Sequence, residues 1–161
     1  MSLVALLLLA ALGAPKGSGA PASPPPVPTV AVIVHPESTL EGLTLDELVA
    51  LCRLDRQHWR TGHRVYLILP ESGTPEKKVL LERVYQMNDA ALKQFWLEKL
   101  YRGEIAAFPH VEPSGGAARR LVARAPEALA LVDATTVDST VKILRIDGRL
   151  PREAGYPLAG R

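Results

Sequence analysis

The chain has 161 residues, enough for one domain and too few for two separate cores. Its 47% hydrophobic and 22% charged content is that of an ordinary globular protein. The 19 Lys and Arg against 17 Asp and Glu alternate in sign along the chain instead of forming a basic stripe, which sets nucleic acid aside as a partner.

In chain order, Leu3 to Leu12 is an uncharged run of Leu, Ala and Val. Its length suits the apolar core of a secretory signal and is too short to span a bilayer. Ala20-Pro21-Ala22 supplies small residues for cleavage, although only the α-amine provides positive charge ahead of the run. Residues 1–22 therefore read as a signal peptide, 23–28 as a Pro-rich linker, and 29–161 as the folded domain, periplasmic or secreted, with no stable membrane insertion after cleavage.

Thr29 to Val34 is a β-branched run bounded by prolines and predicts a buried strand. Thr44 and Glu47 form a capping box, and the helix behind it runs to about Arg53 with Leu45, Leu48, Val49 and Cys52 on one face. Cys52 is the only cysteine, so no disulfide can form within the chain, and its amphipathic setting marks a small buried hydrophobe. Leu54 to Gly62 is a polar connection carrying Trp59, and Arg64 to Leu69 is a second strand.

Pro70 to Pro75 then turns from strand to helix, with Thr74 as cap and Pro75 in the first helical position. Val79 or Leu80, Val84 and Met87 give the inner stripe of this second helix. Asn88 or Asp89 caps a third, which turns Leu92, Phe95, Trp96 and Leu100 inward and stops at Gly103. A loop to Gly116, a short helix from Ala117 to Ala125 stopped by Pro126, and strands at Ala128–Val132 and Val141–Ile146 complete the chain, with a turn at Asp147-Gly148. Strands alternating with helices predict an α/β fold, a mixed sheet flanked by helices.

Catalytic patterns are missing from the sequence. His58 and His63 lie five apart with no cysteine or carboxylate cluster beside them, which is not a recurrent metal spacing. No G-x-S-x-G elbow is present, and Gly115-Gly116 lacks the rest of a nucleotide loop. Asp46 and Glu47 are accounted for by the cap. The expectation is a non-enzyme without metal or cofactor.

The order of the motifs resembles that of the substrate-binding proteins of phosphate ABC transporters, in the type 2 periplasmic-binding superfamily. The resemblance runs from Val30 to Leu158 and rests on Val34-His35-Pro36, Leu43–Leu51, the Trp59, Thr61, Gly62 spacing, Pro70–Leu81, Ala91–Trp96, Arg102–Pro109, Val141–Gly148 and Gly155–Leu158. It implies one lobe of such a protein, with Ser72, Gly73 and Thr74 in the place of the family's Ser-Gly-Thr ligand loop. Phosphate or another small oxyanion would be the ligand, and an ABC permease or another envelope protein the partner.

The residues support an anion loop on physical grounds as well. A helix start offers unpaired N–H groups and partial positive charge, Gly73 lets a ligand come close, and Ser72 and Thr74 add hydroxyls. The same residues also suffice as a plain helix cap. Lys77 and Lys78, in the first turn, are unfavourable there unless an anion compensates.

Three departures from the family imply a weakened grip. Ile68, Leu69 and Pro70 stand where it carries a clamping arginine, followed by the acidic Glu71. Pro126 to Val132 replaces its glycine-rich turn, and no N-terminal phosphate loop is visible. The expected function is weak or degenerate oxyanion binding; the alternative is an envelope interaction module that has lost its ligand.

Overall fold

A computed structural model gives the fold and describes residues 27–160. The expected signal peptide and all but the last two residues of the expected linker lie outside the described residues. In chain order the elements are β1 (Val30–Val34), β2 (Gly42–Leu43), α1 (Leu45–Cys52), β3 (Tyr66–Pro70), α2 (Pro75–Leu80), α3 (Asp89–Tyr101), β4 (His110–Glu112), α4 (Gly115–Val122), β5 (Ala128–Asp133), β6 (Lys142–Ile143) and β7 (Arg145–Ile146).

Five strands form one mixed sheet in the order β4-β3-β5-β1-β6. β3 pairs in parallel with both β4 and β5, and β1 pairs antiparallel with β5 and β6. The apolar runs of β1 and β5 are continuous because both faces of the sheet are covered. Val30, Val32 and Val34, with Leu67, Leu69, Leu129 and Leu131, face α1 and α3. Ala31, Ile33, Ile68, Ala128, Ala130 and Val132 face α4 on the other side. Each large aliphatic buried this way contributes roughly 1.5–3 kcal/mol. Among the described residues, no helix is long and apolar enough to cross a membrane.

The caps sit where the sequence places them. Thr44 accepts from the Glu47 amide while the Glu47 side chain accepts from the Thr44 amide. Thr74 caps α2 and Asn88 caps α3. The differences are local. β4 forms inside the stretch expected to be loop. The expected last strand is two: β6 joins the main sheet, whereas β7 pairs in parallel with β2. Between them the fully buried Leu144 donates its amide to the Val32 carbonyl, so the chain turns there from one sheet to the other. α2 runs on through a π turn, Leu81–Tyr85, that ends at Gln86 in the left-handed region, φ 52°. α4 starts at Gly115, two residues early, because Ser114 caps it by accepting from the Ala117 amide.

Candidate functional site

In an open α/β sheet, ligands collect beyond the carboxyl ends of the parallel strands, where the strand order reverses. Here that position is the end of β3, since the chain leaves β3 toward β4 and returns past it to β5. Ser72-Gly73-Thr74 follows β3 directly, so the fold puts the expected loop at this end.

Gly73 has φ 88°, a conformation that favours glycine, and a Cβ there would meet nothing within 4 Å, so space is open on that side of Gly73. The amides of Ser72, Gly73 and Glu76 donate to no group among the described residues. The two hydroxyls are engaged. Thr74 Oγ1 donates to the Glu71 carbonyl at 2.8 Å and accepts from the Lys77 amide at 3.3 Å. Ser72 Oγ donates to Asp89 Oδ1 at 3.0 Å. The loop thus offers an anion three backbone amides, while its hydroxyls already hold the helix start together.

A second helix start lies alongside. Ser114 and Gly115 at the head of α4 share a crevice with Pro70, Thr74, Glu76 and Glu112. Gly115 is required there, because a Cβ would sit 2.8 Å from Thr136 Oγ1. Two helix N-termini facing one crevice would favour an anion. Yet the crevice measures ≈ 30 Å³, about room for a water, and is already bordered by two carboxylates. Glu112 Oε1 lies 2.8 Å from His110 Nε2, an ion pair only when that histidine is protonated.

The sequence reading did not foresee the position of Lys77. Despite its place in the first turn of α2, it is buried. Burial holds its ammonium below the usual lysine range, partly offset by the nearby Asp89 charge. Lys77 borders a groove of ≈ 480 Å³ together with Ser72, Asp89, Lys93, Trp96 and Phe108. The signal for this was the conflict itself: a lysine in a first helical turn, three residues before Leu80 and seven before Val84, and so on the inner face of the helix. Trp59 packs against the core margin and donates its indole N–H to the Glu127 carbonyl at 3.1 Å.

No family model and no curated protein matches the sequence. The fold does match solved structures. An ABC-type phosphate transport receptor from Vibrio cholerae superposes with a TM-score of 0.66 at 14% identity, over 81% of this chain and 53% of that one. A substrate-binding protein assigned to phosphate ABC transport in Clostridium perfringens, solved with bound phosphate, gives 0.61 at 16% identity, over 76% and 47%. PstS from Borrelia burgdorferi gives 0.59 at 14% identity, over 77% and 49%. The chain therefore has the fold expected from its motifs, a mixed α/β lobe of the phosphate-binding-protein type, and spans about half the length of the proteins it matches.

Proposed function

We propose that the chain is a solute-capture lobe that takes a small oxyanion, phosphate first, at Ser72, Gly73 and Thr74. The observation that carries this reading is that the amides of Ser72, Gly73 and Glu76, just beyond the end of β3, have no acceptor among the described residues, with Ser72 and Gly73 exposed. They stand in a fold shared with a protein solved with bound phosphate. The grip is weak. A helix N-terminus contributes about 0.3–1 kcal/mol, and hydrogen bonds to a charged group roughly 1.5–3 each. Against these stand an association cost of at least ~4 kcal/mol and the nearby carboxylates Glu71, Glu76 and Glu112. A dissociation constant on the order of 1 mM follows.

On this reading the domain works after export, in the periplasm or beyond, and delivers its ligand to an ABC permease. Capture alone requires no catalytic group. A second reading, an envelope interaction module without a ligand, is favoured by one observation. Tyr66, Phe108 and Val111 are exposed along the β3–β4 edge, at 41%, 51% and 49%. Titration with phosphate, followed residue by residue by NMR, separates the two.

A further inference from the structure

Among the described residues, the fold buries two lysines, and it treats them differently. Lys99 is matched: its amine lies 2.6 Å from Asp55 Oδ1 and 3.3 Å from Glu104 Oε2. Lys77 is 5% exposed, yet its amine makes no hydrogen bond or ion pair with any described residue. No wholly buried side-chain nitrogen among the described residues lacks a partner, so the small exposed part of Lys77 includes its amine. Its open side is the ≈ 480 Å³ groove between α2, α3 and the segment leading into β4. The Tyr85 ring lies behind it, with the centroid 6.0 Å from the amine. Asp89, the carboxylate in the groove, is not within pairing distance of Lys77 and is engaged by the Ser72 hydroxyl.

An unpartnered amine on a side chain that is more than nine-tenths buried, opening only on a groove, is costly unless something anionic meets it. The rest of the groove says what else the ligand carries. Lys77 and Lys93 against Asp89 leave one net positive charge, which calls for a single negative one. Much of the remaining wall is apolar, with Leu69, Leu92, Trp96, Phe108 and Val111. Its volume falls within the range of small-molecule sites, about 300–1,000 Å³.

We propose that this groove is a binding site for a small amphiphilic monoanion, an aromatic or short aliphatic carboxylate. The carboxylate pairs with Lys77, and the apolar body lies on Leu92, Trp96 and Phe108. The site adjoins the oxyanion loop at Ser72 but binds through different groups: it uses a side-chain cation and an apolar wall, where the loop uses backbone amides.

The test is an NMR titration of the whole chain with benzoate, alongside inorganic phosphate and benzylamine. Benzoate should shift the Trp96 indole N–H and the amides of Leu92 and Lys93, and benzylamine should not. Lys77→Met keeps the aliphatic stem and removes the charge, and should weaken benzoate at least tenfold. Asp89→Asn removes the opposing charge and should tighten it several-fold, which decides the matter if Lys77→Met does not fold. Unchanged benzoate affinity in folded Lys77→Met, equal binding of benzylamine, or no tightening in Asp89→Asn overturns the proposal. Phosphate is read separately at the amides of Gly73 and Glu76, so the loop and the groove can each fail alone.

Discussion

The Ser72 hydroxyl donates to Asp89 Oδ1 at 3.0 Å, across 17 residues of sequence, and ties the loop after β3 to the first turn of α3. Together with the two hydrogen bonds of Thr74 Oγ1, it makes the loop a fixed frame around open amides. Stability and binding should therefore separate in substitutions here. Thr74→Ala removes a cap and should cost about 1 kcal/mol in urea denaturation. Ser72→Ala, at an exposed pair, should cost less, while the freed Asp89 carboxylate should weaken phosphate a few-fold by NMR titration. Equal stability losses would mean that Thr74 is not the cap that holds α2.

Trp96 packs edge-on against Tyr85, with ring centroids 6.0 Å apart, and lies in the core cluster with Leu92. Trp96→Ala should destabilise the fold by about 3–5 kcal/mol. Trp59 packs at the margin of that cluster and makes one hydrogen bond, so Trp59→Phe should cost about 1 kcal/mol. Chemical denaturation that ranks the two in the opposite order contradicts the packing of α3.

Burial pushes the Cys52 thiol up to about 12. The unfolded thiol ionises near its ordinary value of 9.0, so from there upward the unfolded state loses a proton that the folded state keeps. The thiol's contribution to stability is complete below pH 9 and falls as pH rises toward 12, by up to about 1.4 kcal/mol per unit. The buried Tyr85 and Tyr156 hydroxyls act with the same sign above about 10. Lys77 acts with the opposite sign, because its folded-state affinity for a proton is lowered. Comparison with Cys52→Ala removes most of these shared terms, leaving only the part of the Lys77 and Tyr85 shifts that comes from the Cys52 charge itself. The stability of the wild type relative to the variant should fall between pH 8.5 and about 10. A flat difference would mean that the thiol is solvated in the fold.

Much of this fold could be read from local chemistry. The Thr44–Glu47 box, the Thr74 and Asn88 caps and the apolar runs of β1, β3 and β5 each declare themselves within a few residues. β4 could not be read this way. It is three residues long, lies at the sheet edge and leaves His110 and Val111 exposed, so it has no alternating burial to betray it. β6 and β7 look like one strand because nothing local records that Leu144 bonds Val32 while Gly42 pairs with Arg145. The loop Ser72-Gly73-Thr74 was legible by composition. The commitment of the Ser72 hydroxyl was not, because Asp89 reaches Ser72 only through the tertiary fold. Lys77 was legible as a misplaced charge on the inner face of α2; the Tyr85 ring beside its amine was not, because the fold brings it there.

The proposal of export has its own check. Cleavage after Ala22 should give a mature chain beginning at Ser23, read by intact mass on protein from the native envelope. A species retaining Met1 and found in the cytoplasm would contradict it.

The central claim is that the amides after β3 bind an oxyanion weakly. Phosphate should be titrated into the ¹⁵N-labelled domain at low and at high ionic strength. The account predicts saturable shifts confined to the amides of Ser72, Gly73 and Glu76 and their neighbours, with a dissociation constant on the order of 1 mM that weakens with salt. Amides that stay still at tens of millimolar phosphate would contradict it, leaving Ser72-Gly73-Thr74 as a helix cap and the exposed β3–β4 edge as the working surface.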